Sequence, residues 1–187
     1  MIVGLDFDNT IACYDTLFHR LAVERGLIDP DHAADKTAIR DRLRAEGRED
    51  DWTQMQGLAY GPRIVEAEPF PGAVDCIAAL MGAGVVTFIV SHKTRTPYRG
   101  EPHDLHAACR RFLEVHGISP ALIAAERVFL EPTKAAKISR IRGLACTHFV
   151  DDLPEFLAEP TFPDIVKLHF GGADTPDWAA VRHVLLG

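Results

Sequence analysis

Long apolar runs are missing from this sequence. No stretch reaches the roughly 20 apolar residues that a membrane-spanning helix requires, so no membrane partner is expected. Cysteine is sparse: Cys13, Cys76, Cys109 and Cys146 lie far apart and form no Cys-x-x-Cys pair. That spacing argues against a zinc knuckle and against a disulfide framework. No secretory signal precedes the first structural segment, so four reduced thiols in a cytoplasmic protein are expected. Positive charge is also in deficit, with 20 basic against 27 acidic residues and a net charge of -7. A protein that neutralises many nucleic-acid phosphates needs the opposite balance over one face, so nucleic-acid binding is not expected. No internal repeat and no low-complexity tract is visible.

What remains is an ordinary globular balance, with 47% apolar and 25% charged residues over 187 positions. That length supports one well-buried core and a small insertion, but not two full-size domains. Short, nearly continuous apolar runs at Ile2 to Leu5, Val85 to Val90, Val128 to Leu130, Phe149 to Val150 and Ile165 to Phe170 read as strands buried on both faces. Helical periodicity separates them, for instance at Leu105, Ala108, Phe112 and Leu113, with Gly117 as a stop. Alternation of this kind implies an α/β fold with a doubly wound, Rossmann-like parallel sheet of about five strands.

One interval breaks the alternation. From about Cys13 to Glu68 the pattern is helical, through Leu17, Phe18, Leu21 and Ala22 and then Ile39 and Leu43, without a convincing strand. It reads as a helical insert, residues 13–68, in a core made of residues 1–12 and 69–187. Pro69, Phe70, Pro71 and Gly72 mark the re-entry turn. The stretch from Ser91 to Pro102 reads as a long loop.

In open parallel sheets ligands bind beyond the carboxyl ends of the strands, so the residues just after each apolar run carry the information. The first run is followed by Asp6-Phe7-Asp8-Asn9-Thr10, the second by Ser91 and the fourth by Asp151-Asp152. Lys134 and Lys137 occupy the helix before the fourth run. Together these supply a nucleophile, an acid/base, donors for phosphoryl oxygens and anionic ligands for a metal, which are the parts of a phosphoryl-transfer site. Hard oxygen ligands suit Mg²⁺ better than zinc.

In their order and placement these residues resemble the four signatures of the haloacid dehalogenase (HAD) superfamily, across nearly the whole chain. The second acid of the first signature, Asp8, resembles the superfamily's phosphatases and not its dehalogenases. The resemblance implies that Asp6 is the nucleophile that forms an aspartyl-phosphate. It implies that Asp8 protonates the leaving oxygen and then activates water. Asp6, the carbonyl of Asp8 and Asp152 would hold Mg²⁺, with Asp151 in support, and Thr10, Ser91 and a lysine would hold the phosphate. Of the two lysines Lys137 is the first choice, because its shorter path to Asp151 leaves one helix end, a turn and a short strand; Lys134 is the second. The insert resembles the superfamily's helical cap at small size, so the implied substrate is a small phosphorylated metabolite, a sugar phosphate or nucleotide.

Two other classes compete. A phospho-accepting receiver domain uses similar residues, but it carries its paired acids on the first strand, whereas here they come near the end. A non-catalytic binding protein on the same fold is the second. Elsewhere, His103-Asp104-Leu105-His106 reads as a helix start capped by Asp104, with a metal or substrate element as the alternative. Trp52, Tyr60 and Arg63 read as packing residues of the insert, with a pocket lining as the alternative.

Overall fold

The computed structural model describes residues 1–187. Strand β1 (Ile2–Leu5) leads through β2 (Ala12–Cys13) into helices α1 (Asp15–Glu24), α2 (Lys36–Ala45) and α3 (Glu49–Tyr60). Strand β3 (Glu68–Pro69) is followed by α4 (Ala73–Gly82), β4 (Val86–His92), α5 (Leu105–Val115) and β5 (Val128–Glu131). The chain closes with α6 (Lys134–Gly143), β6 (His148–Asp151), α7 (Pro154–Leu157), β7 (Val166–His169) and α8 (Trp178–Leu186). No helix is long and apolar enough to cross a membrane.

Five strands form one sheet in the order β5-β4-β1-β6-β7, and every pairing is parallel. Counted along the chain this is the order 3-2-1-4-5 of a Rossmann-like doubly wound sheet. A receiver domain would show 2-1-3-4-5. Strand order therefore excludes that competitor. Two strands run past their apolar stretches: β4 continues through Ser91 and His92, and β6 includes Asp151. Hydropathy ends β4 and β6 too early because their last residues are polar and lie at the carboxyl edge of the sheet.

Central strand β1 contains a glycine for a packing reason. A Cβ on Gly4 would lie 2.5 Å from Cδ2 and 2.7 Å from Cε2 of Phe149. The Phe149 ring lies across the strand, inside an apolar cluster with Val90, Ile138, Ile141, Phe156, Leu157 and Phe162.

Contacts divide the chain into two units. The first comprises Met1–Ala12, Pro69–Thr94 and Leu113–Gly187, and the second Cys13–Glu68 with Arg95–Phe112. Sequence pattern alone counts 95–112 with the sheet, whereas the structure groups it with the insert. The reason is steric and electrostatic. Gly57 of α3 leaves room for the Arg99 carbonyl, 3.0 Å from where a Cβ would stand, and Gly61 does the same for His103. Arg99 pairs with Asp50 of the same unit.

Within the second unit α1, α2 and α3 bury Leu17, Phe18, Leu21, Ile39, Leu43, Trp52 and Met55. Trp52 stacks on Phe18 at 4.6 Å, and Tyr60 meets Tyr14 edge-on at 4.9 Å. Arg63 pairs with Glu24 and Glu66. These three residues therefore pack the insert. Asp104 accepts a hydrogen bond from the Ala107 amide at 2.9 Å, the geometry of a helix cap.

Replacing Gly4 by Ala forces its methyl into the Phe149 ring and should destabilise the protein by about 1–3 kcal/mol. Gly82→Ala adds a methyl with no atom within 4 Å and serves as the control. Urea unfolding measures both. Equal midpoints for the two variants would contradict this account of Gly4.

Candidate active site

All the chemistry-bearing residues named above lie in the first unit, at the carboxyl ends of β1, β4 and β6 and in α6. The Asp6 amide donates to the Val150 carbonyl at 2.9 Å, extending the β1–β6 ladder one residue beyond the strand. The chain then turns sharply. The Phe7 carbonyl accepts from the amides of Ile11 (3.0 Å) and Ala12 (2.9 Å), and the Asn9 amide donates to Ala12 (3.0 Å). This turn requires Asn9 at φ 58°, in the left-handed region that Asn tolerates better than most residues. Buried Trp178 donates its indole N–H to the Thr10 carbonyl at 3.0 Å and fixes the far side of the turn.

Helix α6 presents one lysine to this turn. Thr133 caps the helix by accepting from the Ala136 amide at 3.1 Å, which places Lys137 on the buried face and leaves Lys134 exposed. The Lys137 Nζ lies 2.6 Å from Asp6 Oδ1 and 2.6 Å from Asp151 Oδ2. It also lies 4.3 Å from the ring centre of Phe156 and 5.4 Å from that of Phe149. An ammonium this deeply buried is tolerable only with such partners. Asp151 uses its other oxygen to accept from the Leu153 amide at 2.9 Å, so both of its oxygens are engaged.

Asp152 is less buried than Asp151. Its Oδ1 lies 3.4 Å from the Thr10 hydroxyl, which donates to it. His169 Nε2 donates to the Asp152 backbone carbonyl at 3.2 Å. One ligand oxygen each from Asp6, Asp151 and Asp152 fall within 4.8 Å of one another. Ser91 is buried at the end of β4, the strand beside β1.

A second lysine, absent from the sequence-based expectation, completes the group. Lys93 is 4% exposed, and its Nζ lies 2.9 Å and 2.7 Å from the two carboxylate oxygens of Asp8. The backbone explains its direction. The Lys93 amide donates to the Glu131 carbonyl at 2.7 Å, so extended pairing with β5 outlasts the strand and puts Lys93 on the side of Ser91. The available signal was the spacing of Ser91 and Lys93, two positions apart in an extended segment. Trp178 and His169, which brace the turn and Asp152, carry no comparable sequence signal.

The acids of this cluster outnumber the ammonium groups seen in contact with them. Four carboxylates, those of Asp6, Asp8, Asp151 and Asp152, face two buried ammonium groups, Lys93 and Lys137. When all are ionised, two negative charges remain, the complement of one divalent cation. Burial pushes Asp6 up to about 8, against the pull of Lys137 and with the help of Asp151 and Asp152. Burial alone would lower Lys137, but Asp6 and Asp151 outweigh it and hold the ammonium above its ordinary value. Lys137 is one charge shared by two buried acids, so Asp6 takes up either a proton or a cation. The all-oxygen donor set fits a hard divalent ion.

Most of the expected site thus converges: Asp6, Thr10, Lys137, Asp151 and Asp152 are linked by contacts, and Asp8 and Ser91 sit on the same sheet edge. Lys134 does not join them. Asp151 engages the lysine as well as the acidic group, and Thr10 is directed at Asp152.

No protein-family model matches the sequence, and no curated protein matches it. Solved structures do. A HAD-superfamily hydrolase from Ehrlichia chaffeensis aligns over 98% of this chain and 95% of its own, at 14% identity and a TM-score of 0.53. A HAD family hydrolase from Deinococcus radiodurans with bound phosphate and sodium aligns over 100% and 88%, at 16% identity and a TM-score of 0.56. A hydrolase from Streptococcus pneumoniae aligns over 98% and 96%, at 12% identity and a TM-score of 0.61. The fold is therefore an α/β fold of the Rossmann-like, doubly wound kind. It is the HAD fold.

The position of Asp6 gives a pH-dependent stability. Its folded pKa lies above its ordinary 3.8, so between those values the folded state holds a proton that the unfolded chain has lost. Stability of the cation-free protein should fall as pH rises through that window. Added Mg²⁺ should raise the melting temperature more at about pH 9 than at about pH 6, and Asp6→Asn should remove this difference. An equal Mg²⁺ effect at both pH values would contradict the assignment.

Proposed function

We propose that this protein is a Mg²⁺-dependent phosphatase that hydrolyses a small phosphorylated metabolite, of the sugar phosphate or nucleotide class, through a phosphorylated Asp6. The observation that carries the reading is the shared lysine: Lys137 ties the first-strand acid Asp6 to the fourth-signature acid Asp151 at 2.6 Å each. The fold supports it, and the similar Deinococcus hydrolase has bound phosphate and sodium.

In the first step an oxygen of Asp6 attacks phosphorus, the bond from phosphorus to the leaving oxygen breaks, and Asp8 gives that oxygen a proton. In the second step Asp8 takes a proton from water, whose oxygen attacks phosphorus. The bond to Asp6 breaks, freeing inorganic phosphate and restoring the carboxylate. Lys137 and Ser91 hold the phosphoryl oxygens. Asp151 aims Lys137, and the Thr10 hydroxyl orients Asp152. Asp6, the Asp8 carbonyl and Asp152 are the residues that would hold Mg²⁺, which when bound screens the nucleophile from the phosphate and offsets charge on the phosphoryl group. All of these residues belong to the first unit.

Hydrolysis of 4-nitrophenyl phosphate tests this reading. Turnover should require Mg²⁺ and vanish in Asp6→Asn. Lys137→Ala should cost about 10² to 10³ fold, the usual loss of one donor to a developing oxyanion, whereas Lys134→Ala should leave turnover nearly unchanged. Full activity in a chelator, or equal losses at the two lysines, would contradict it.

A further inference from the structure

We infer that Lys93 is a second functional lysine, a positioning residue that holds the carboxylate of Asp8 for proton transfer. The inference rests on the role given to Asp8 above, and it is carried by contacts that role does not itself require. Lys93 is almost fully buried, while the Asp8 side chain is 21% exposed. A lysine with a long flexible stem is ordinarily solvated, and burying its charge is costly unless it is paired. Here its Nζ engages both Asp8 oxygens, at 2.9 Å and 2.7 Å, and lies 5.4 Å from the centre of the Phe7 ring.

The two lysines divide the work between the two acids of the first signature. Lys137 approaches from α6 and touches Asp6 and Asp151, whereas Lys93 approaches from beyond β4 and touches Asp8. Asp6 is in addition held by its place in the sheet, since its amide belongs to the β1–β6 ladder. Asp8 lies farther out, in the turn that follows that ladder, and the ammonium of Lys93 meets its carboxylate there. An acid/base group must meet first the leaving oxygen and then water, and small displacements of such a group are costly. Two contacts from one ammonium fix both the distance and the plane of the carboxylate. The Lys93 amide, bonded to Glu131, anchors the ammonium in turn to the edge of the sheet.

Because Lys93 acts through Asp8, its loss should be felt where Asp8 is needed. Phenyl phosphate, a poor leaving group, depends on protonation more than 4-nitrophenyl phosphate does. Lys93→Met should lower kcat on phenyl phosphate by about 10 to 10² fold with KM little changed, and should lower it less on the nitrophenyl ester. Lys93→Arg, which keeps the charge but moves the donors, should show the same selectivity with a smaller loss. A double-mutant cycle completes the test: Asp8→Asn alone should cost about 10² to 10⁴ fold, and Lys93→Met in that background should cost nothing further. Combining the two substitutions removes both charges of the pair and leaves no unpaired buried charge, so the double variant folds even where Lys93→Met alone does not.

Equal losses on the two esters, or a Lys93→Met cost that persists undiminished in the Asp8→Asn background, would overturn the inference and reduce Lys93 to a structural cation. Unchanged turnover of phenyl phosphate in Asp8→Asn alone would instead overturn the role of Asp8 on which the inference stands.

Discussion

One ammonium shared by two buried carboxylates is the constraint on which the site depends. Lys137 cannot neutralise Asp6 and Asp151 together, so the pocket keeps a standing demand for positive charge. Buried ionic groups rarely contribute net stability, and their retention calls for a different reason. In the proposed mechanism the unbalanced carboxylate is the nucleophile, and a cation that satisfies it also screens an incoming phosphate. The rest of the first unit can be read as support for that lysine. Gly4 lets Phe149 cross the central strand, Phe149 and Phe156 line the approach of the ammonium, and the Thr133 cap sets the helix that delivers it.

The topology explains why these groups meet at all. In the order 3-2-1-4-5 the chain reverses direction across the sheet between its first and fourth strands, here β1 and β6. That switch opens a crevice at their carboxyl ends. Asp6 follows β1, and Asp151 and Asp152 close β6, so residues almost 150 positions apart in sequence become neighbours without any long loop. Parallel pairing of Leu5 with Val150 brings the two strand ends level.

Much of this was legible in the sequence because it depends on patterns of short range. Continuous apolar runs marked all five strands, and the acids after the first and fourth runs marked the site. Lys137 was separable from Lys134 by chain length alone. Three features were hidden for physical reasons. Lys93 reads as a loop lysine, and only a ladder bond continuing past the end of β4 turns it inward. The attachment of 95–112 to the insert depends on two glycines of α3 and its end that admit a backbone carbonyl and a histidine, a steric fact with no periodic signature. The direction of the Thr10 hydroxyl towards Asp152 follows from how tightly the turn closes around Asn9, which spacing does not encode.

In the proposed mechanism Asp6, held by Lys137 and set apart from Asp8, accepts the phosphoryl group. Rapid acid quench of the enzyme during Mg²⁺-dependent turnover, followed by peptide mass spectrometry, tests it most directly. A phosphoryl group should appear on Asp6 and none on Asp8, accumulating further in Asp8→Asn, where hydrolysis of the intermediate is slowed. A label on Asp8, or turnover that leaves no covalent phosphate on either acid even in Asp8→Asn, would contradict it.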